Sequence, residues 1–149
     1  MQQVITELRE AGIAHILEHE PLAAYTTWNI GGPADLLLIP ESAEQLAAAM
    51  RILHRSGTPW TLLGRGSNTL VSDKGVRGAV IKLGKSFEEV RFDGGLVYVG
   101  GAFSLIKLSV MARKQGLTGL EFASGGVDPR SPSFRRRLSG RVLMRMVCI

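Results

Sequence analysis

Residues 63–71 read Leu-Gly-Arg-Gly-Ser-Asn-Thr-Leu-Val and follow a short apolar run. Because glycine adopts backbone conformations closed to other residues, we expect Gly64 and Gly66 to form a tight loop that a ligand can approach closely. Consecutive N–H groups in such a loop form a concave anion site, to which the Ser67 hydroxyl and the Asn68 amide add donors. The stretch favours phosphate binding. An ordinary turn from a strand into a loop, with Asn68 left-handed, also accounts for it.

Two other phosphate-binding patterns are excluded. The dinucleotide fingerprint needs a third glycine three positions after Gly66, at the start of a helix, but Thr69 stands there and an extended-type sequence follows. The Walker loop needs Lys and then Ser or Thr after its glycines, and neither follows here. Arg65 either pairs with a phosphate or is a solvated loop arginine. Further glycine pairs at Gly31-Gly32 and Gly100-Gly101 either line one crevice with this loop or form ordinary turns.

Apolar spacing and capping residues predict a mixture of helices and strands. Ser42 with Gln45 predicts a capping box at the start of one helix, and Gly57 is expected to end it. The predicted helices are residues 2–11, the segment between Ser42 and Gly57, and a segment capped by Ser104 in which Leu105, Leu108, Met111 and Ala112 face inward. The predicted strands are residues 34–39, 60–63, 79–83, 87–92 and 96–99. We expect the first two strands to be parallel with a right-handed crossover.

Composition places the chain among ordinary globular proteins. Its 149 residues amount to one domain and are 45% hydrophobic and 21% charged. The sequence shows neither an apolar run long enough for a membrane span nor a signal peptide, so we predict a cytoplasmic protein without a membrane partner. The single cysteine, Cys148, forms no intrachain disulfide, and no spacing of residues suggests a metal site.

The net charge of +5 is confined to one end of the chain. Residues 1–125 carry 12 basic and 12 acidic side chains, whereas residues 126–149 carry six arginines and one aspartate. We therefore predict no nucleic-acid partner for the domain itself. The competing hypothesis is a nucleic-acid-binding protein that uses the arginine tail. Salt-sensitive binding to any duplex, abolished by truncation at Gly125, would support it.

Four collinear motifs resemble the UDP-N-acetylenolpyruvoylglucosamine reductase family, also called UDP-N-acetylmuramate dehydrogenase. They lie within residues 26–35, 63–75, 78–83 and 116–122, and the resemblance covers about residues 20–125. It implies an α+β fold, an FAD-binding domain of the vanillyl-alcohol-oxidase (PCMH) type with two small α+β lobes. It also implies FAD as cofactor, with the diphosphate bound by the glycine loop and the 30–32 turn nearby. The implied cofactor-binding residues are Ile30, Gly31, Gly32, Leu63, Gly64, Arg65, Gly66, Ser67, Asn68, Thr69 and Leu70.

The family reaction has two halves. NADPH reduces FAD, and the reduced flavin passes a hydride to the enolpyruvyl group of a UDP-sugar, which yields UDP-N-acetylmuramate for peptidoglycan synthesis. The family's catalytic serine, arginine and glutamate belong to later segments, so we assign no catalytic residue in this chain. The UDP-sugar is then a partner of the full-length enzyme only. We expect this chain to be inactive, with exposed apolar surface and a tendency to aggregate. A non-catalytic FAD- or nucleotide-binding module is the alternative, and the oligomeric state is left open.

Residues 126–149 depart from the family pattern. We expect three segments: a lead-in over residues 1–20, the FAD-binding domain over 21–125, and an aberrant basic tail over 126–149. We interpret the tail as a frameshifted readout, because glycine codons read out of frame give arginine codons and Arg135-Arg136-Arg137 stands near the place of a family Gly-Gly-Ala. A genuine short paralogue with a basic tail is the rival. The gene's other two frames decide between them.

Overall fold

Four strands in the first 87 residues form one sheet, with the order β1-β2-β4-β3. The structure is a computed structural model that describes residues 1–67, 69–94 and 96–120. Its helices are α1 (Gln2–Glu10), α2 (Ala43–Arg55) and α3 (Leu105–Lys114). Its strands are β1 (Ile16–Pro21), β2 (Pro33–Leu38), β3 (Trp60–Leu63), β4 (Val76–Lys82), β5 (Val90–Asp93) and β6 (Leu96–Val99). Short 3-10 helices span Leu22–Tyr25 and Lys85–Glu88.

Strands β2 and β3 both run parallel to β4, which lies between them. The prediction that β2 and β3 are parallel is therefore confirmed, but the two strands are not neighbours. Strand β1 adds antiparallel to the other side of β2. Because parallel strands share their direction, the carboxyl ends of β2, β3 and β4 meet at one edge of the sheet, and the loop after Leu63 begins there.

Each face of this sheet carries its own apolar cluster, because successive side chains of a strand point to opposite faces. Leu36, Leu38, Ala79 and Ile81 pack on one face with buried residues of α1 and α2. Leu37 and Val80 lie on the other face. Their buried neighbours there are Leu22 of the first 3-10 helix, Ala34 of β2, Leu63 of β3 and Val71. Val71, from the loop between β3 and β4, connects this second face to the candidate site.

The predicted cap of α2 is present in part. The Ser42 side chain accepts a hydrogen bond from the Gln45 backbone N–H at 3.2 Å. The reciprocal bond differs from the prediction, because Gln45 Oε1 accepts from the backbone N–H of Glu41, at 2.8 Å, and not from that of Ser42. The Gln45 amide also donates to the Gly12 carbonyl oxygen at 3.0 Å, which ties the start of α2 to the end of α1. Gly57 has φ +64° and ends α2 as predicted.

The second unit begins at Glu88, and its described part holds β5, β6 and α3. The two strands pair antiparallel, and their apolar side packs with Leu108, Ala112 and Leu120. The prediction that Leu105 faces inward is wrong, since 44% of its surface is exposed. The predicted strand start at Phe87 is also wrong, because that residue lies in a 3-10 helix. The basic tail, residues 126–149, lies outside the described residues.

Candidate functional site

The glycine loop starts at the carboxyl end of β3. Leu63 is buried in the apolar cluster that contains Leu37 and Val80, and this packing fixes where the loop leaves the strand. Gly64 comes next and is exposed, and a Cβ placed on it would meet nothing within 4 Å. Its φ lies outside the left-handed region, so the positive φ expected for this glycine is not adopted. Gly64 therefore presents its backbone to open space.

Gly66 has a different environment. It is buried and has φ +68°, as a loop glycine is expected to have. A Cβ on Gly66 would overlap the carbonyl oxygen of Tyr25 and lie 2.9 Å from the Cα of Thr26. The Gly66 carbonyl oxygen accepts a hydrogen bond from the Thr27 backbone N–H at 3.0 Å. The close approach at this glycine is thus made by the chain's own 25–27 segment.

Two further glycines bring the same two segments together. A Cβ on Gly31 would lie 2.8 Å from the Cβ of Val71, and one on Gly32 would overlap the Asp73 carbonyl oxygen. The Gly32 backbone N–H donates to the Ser72 carbonyl oxygen at 2.9 Å. We call the pair of segments 25–33 and 64–75 the loop pair. Close contacts join its two segments at two places, where Gly66 meets residues 25–27 and where residues 31–33 meet residues 71–75.

The predicted site residues of the loop pair divide by exposure. The exposed members, which a ligand can reach, are Ile30, Gly64, Arg65, Ser67 and Leu70. Gly31, Gly32 and Thr69 are half-buried, and Leu63 and Gly66 are buried. Asn68 lies outside the described residues. Gly100 and Gly101, the third glycine pair, belong to the second unit.

Apolar side chains are exposed on the loop pair. Ile30 is 48% exposed and Leu70 78%, and Trp28, three residues before Gly31, is 66% exposed. Scattered exposed apolar residues are normal on protein surfaces, but three of them on one loop pair beside exposed polar groups give a surface suited to a ligand with apolar and charged parts.

Asp35 is a structural residue that the sequence reasoning did not assign. One carboxylate oxygen accepts from the Gly78 backbone N–H at 2.8 Å, and the other lies 2.8 Å from Arg77 Nη1. The carboxylate thus fixes the amino-terminal part of β4 against β2. Its place directly after Gly-Gly-Pro-Ala was visible in the sequence, but a partner 43 residues away was not.

Tyr25 lies where the first segment of the loop pair begins. Its hydroxyl donates to Glu20 Oε1 at 3.0 Å. Burial, then this hydrogen bond and the carboxylate charge, raise the pKa of Tyr25 above its usual value of 10.0.

In the described part of the chain no group of three or more His, Cys, Asp or Glu side chains converges as a metal site would. No helix among the described residues is long and apolar enough to cross a membrane.

Residues 34–127 match the family model described as FAD binding domain. UDP-N-acetylenolpyruvoylglucosamine reductases of Bacillus velezensis and Bacillus subtilis are 49% and 46% identical to this chain over 125 residues. That alignment covers 84% of this chain and 41% of each relative. The chain therefore spans about two fifths of the length of the curated relatives it matches.

Solved structures agree with the sequence comparison. The crystal structure of UDP-N-acetylenolpyruvylglucosamine reductase from Thermus caldophilus superposes with a TM-score of 0.57 at 35% identity, over 75% of this chain and 37% of that one. A berberine bridge enzyme variant and p-cresol methylhydroxylase match with TM-scores of 0.55 and 0.56 at 15% and 16% identity. They cover 74% and 78% of this chain, and 26% and 25% of their own. These two show the fold alone, which is the predicted α+β FAD-binding domain of the PCMH type.

Proposed function

Because the chain belongs to the FAD binding domain family, we propose that it binds FAD and holds the cofactor's diphosphate on the exposed side of the loop pair. The observation that carries this proposal is the contrast between two glycines. Gly66 is closed by the protein's own backbone, whereas Gly64 is exposed with open space beside it. Among the described residues, no atom beyond its chain neighbours lies within 4 Å of the Cβ position at Gly64, which leaves room there for an anion.

The groups around Gly64 suit a diphosphate. Arg65 and Ser67 are exposed next to it and bring a guanidinium and a hydroxyl, both of which bind phosphate oxygens. We propose that the residues expected from the sequence, Ile30, Gly31, Gly32 and Leu63 through Leu70, form this site. Within it, Gly31, Gly32 and Gly66 keep the two segments together, and the exposed members contact the cofactor.

When bound, FAD would supply the chemistry of hydride transfer. The residues of this chain bind and orient the cofactor. We propose that the chain corresponds to the FAD-binding part of an NADPH-driven reductase that converts UDP-N-acetylenolpyruvoylglucosamine to UDP-N-acetylmuramate in peptidoglycan precursor synthesis. Since it spans about two fifths of its relatives and we assign no catalytic residue in it, we expect the chain alone to bind flavin without oxidising NADPH.

A charge placed at Gly64 tests the binding site. Gly64→Asp puts a carboxylate where we place the diphosphate, and we expect it to weaken FAD binding about tenfold or more, through like-charge repulsion. Ala47→Asp, on the exposed side of α2, adds the same charge elsewhere and should leave the affinity within about twofold. Titration followed by flavin fluorescence measures the FAD affinity of both variants. Displacement of FAD by ADP, which carries the diphosphate without the flavin, tests the diphosphate contact by itself.

The possible results separate cleanly. A wild-type chain that binds no flavin at saturating FAD contradicts the cofactor assignment. Equal affinity of wild type and Gly64→Asp contradicts the location of the diphosphate, whatever the wild-type affinity is. Oxidation of NADPH by the chain alone, on addition of the UDP-sugar, contradicts the expectation of a binding part without turnover.

A further inference from the structure

We infer that Thr26 is a positioning residue for the glycine loop: its buried hydroxyl fixes the 26–30 turn, and that turn holds the loop at Gly66. Thr26 is one of two buried polar residues among those described, with 6% of its surface exposed. The effect of Thr26 on FAD binding rests on the proposed function, whereas its effect on the conformation of the loop does not. A buried hydroxyl that makes well-placed bonds fixes a local conformation, because leaving its partners unpaired is costly.

The hydroxyl closes the turn on itself. Thr26 Oγ1 lies 3.0 Å from the Ile30 carbonyl oxygen and 3.3 Å from the Ala23 carbonyl oxygen, so its single proton can be donated to either main-chain acceptor, and the Ile30 bond is the shorter. The Thr26 carbonyl oxygen accepts from the Asn29 N–H at 3.2 Å. Asn29 is left-handed, with φ +52°, and bonds on either side of it hold that conformation in place.

The turn and the glycine loop touch through Thr26 and its successor. The Cα of Thr26 stands 2.9 Å from the point where a Cβ on Gly66 would lie. The next residue, Thr27, donates its backbone N–H to the Gly66 carbonyl oxygen at 3.0 Å. A change in the backbone of Thr26 therefore moves the donor that fixes Gly66. Gly66 is separated from the proposed phosphate contact, Gly64, by Arg65 alone.

The consequence for a ligand is preorganisation. A loop already fixed in its binding conformation loses less conformational freedom when it binds, and affinity rises accordingly. Thr26 makes no contact with the exposed side of the loop, since it is buried. Its contribution to FAD binding is thus indirect, through the position of the loop.

Three variants isolate the hydroxyl. Thr26→Val keeps the shape and removes the donor. Thr26→Ser keeps the donor and removes a methyl group. Thr6→Val is the matched control, because it removes a threonine hydroxyl that donates to a main-chain carbonyl oxygen, that of Gln2 at 3.1 Å, in α1 and outside the loop pair. Amide hydrogen exchange over residues 25–30 and 64–67, measured without ligand, reports the loop directly. FAD dissociation constants and urea unfolding of the same samples follow.

We expect Thr26→Val to speed exchange of the Thr27 amide about tenfold and to weaken FAD binding by a similar factor, with Thr26→Ser and Thr6→Val within about twofold of wild type. If Thr26→Val does not fold, Thr26→Cys, a weaker donor of similar size, replaces it and should fall between wild type and the expected effect of valine.

Unchanged exchange in the loop pair of Thr26→Val, or failure of serine to restore wild-type exchange, overturns the inference. Faster exchange with an unchanged FAD dissociation constant supports the positioning role and instead removes the loop from the proposed cofactor site. A wild-type chain that binds no FAD contradicts the proposed function, and in that case the exchange rates alone decide the role of Thr26.

Discussion

Gly66 and Gly57 have nearly the same backbone conformation in very different surroundings. Their φ angles are +68° and +64°, but a Cβ on Gly57 would meet nothing within 4 Å, whereas one on Gly66 would overlap the Tyr25 carbonyl oxygen. The pair therefore separates two reasons for glycine. At Gly57 only the left-handed conformation is required. At Gly66 the close passage of a second chain segment is required as well.

Alanine at these two positions should reveal the difference. We expect Gly57→Ala to lower the free energy of unfolding by about 1 kcal/mol, the cost of a left-handed non-glycine residue. Gly66→Ala should lower it by about 3 kcal/mol, because backbone overlap adds to the same strain. Urea unfolding measures both values. Equal losses in the two variants would contradict the close contact between Gly66 and the 25–27 segment.

Tyr25 gives a pH-dependent test of the same region. Its pKa is raised first by burial and then by the hydrogen bond to Glu20 and the charge of that carboxylate. Since the folded pKa exceeds the unfolded one, the contribution to stability is complete below pH 10, the unfolded value, and is lost as pH rises through the folded pKa. Deprotonation also places a phenolate beside the Glu20 carboxylate.

Ultraviolet titration of the phenolate measures this pKa. Tyr98→Phe removes the other tyrosine, so that the signal comes from Tyr25 alone. Adding Glu20→Gln should lower the Tyr25 pKa toward its usual value without reaching it, because burial remains. A Tyr25 pKa at or below the usual value in the Tyr98→Phe protein would show that the bond to Glu20 does not form.

At the scale of elements, the start of α2 is a joint between two helices. Ser42 caps α2, and Gln45 bonds both the chain before α2 and the carbonyl of Gly12 after α1. Ser42→Ala should lower the free energy of unfolding by about 1 kcal/mol. Ser42→Gly should lower it by only about 0.3 kcal/mol, because glycine suits the N-cap position. Urea unfolding compares the two. Equal effects would mean that the hydroxyl does not cap the helix.

Local signals in the sequence predicted these elements well. Strand β3 has the predicted bounds, and α2 begins after Ser42 and ends before Gly57, since capping and turn residues act over a few positions. Contacts between distant segments were not predictable. The sequence indicates a glycine at residue 66, but it does not show that Tyr25 and Thr27 meet it, nor that β4 inserts between β2 and β3.

The candidate site shows the same division. Its residues were expected from motifs, and the structure joins the two segments where Gly66 meets residues 25–27 and where Gly31 and Gly32 meet residues 71–73. What sequence could not reveal is which glycines face solvent, because exposure depends on the partner segment. Leu105 illustrates the converse error: helical spacing placed it inward, but the described core of the second unit uses Leu108 and Ala112.

Strand β3 leaves apolar side chains uncovered. The strand register aligns Trp60 with Ala79 and Leu62 with Ile81. Ala79 and Ile81 are buried in the cluster beneath α1 and α2. Trp60 and Leu62 lie on the same face of the sheet but are 46% and 56% exposed. We expect Trp60→Thr/Leu62→Thr to reduce self-association, since threonine suits a strand and removes apolar surface. Sedimentation velocity measures the self-association of each variant. Leu105→Gln/Ile106→Gln is the control, because it removes a similar amount of exposed apolar surface from the second unit. Unchanged self-association of the Trp60→Thr/Leu62→Thr variant would show that strand β3 does not cause it.

At the scale of the molecule, the first 87 residues contain both faces of their sheet and both apolar clusters. Every buried member of those clusters lies between Val4 and Ile81. Both segments of the loop pair lie in the same range, so the elements that hold the proposed diphosphate site belong to one unit. A chain of this length with its own core is within the size range in which domains fold alone.

A fragment of residues 1–87 should therefore fold and retain the diphosphate contact. We expect cooperative urea unfolding and amide protection in β2 and β4, together with ADP binding that Gly64→Asp weakens in the fragment as in the whole chain. A fragment that unfolds without cooperativity would show that the core of the first unit is not self-sufficient. A folded fragment that does not bind ADP, beside a whole chain that does, would move the diphosphate contact out of the loop pair.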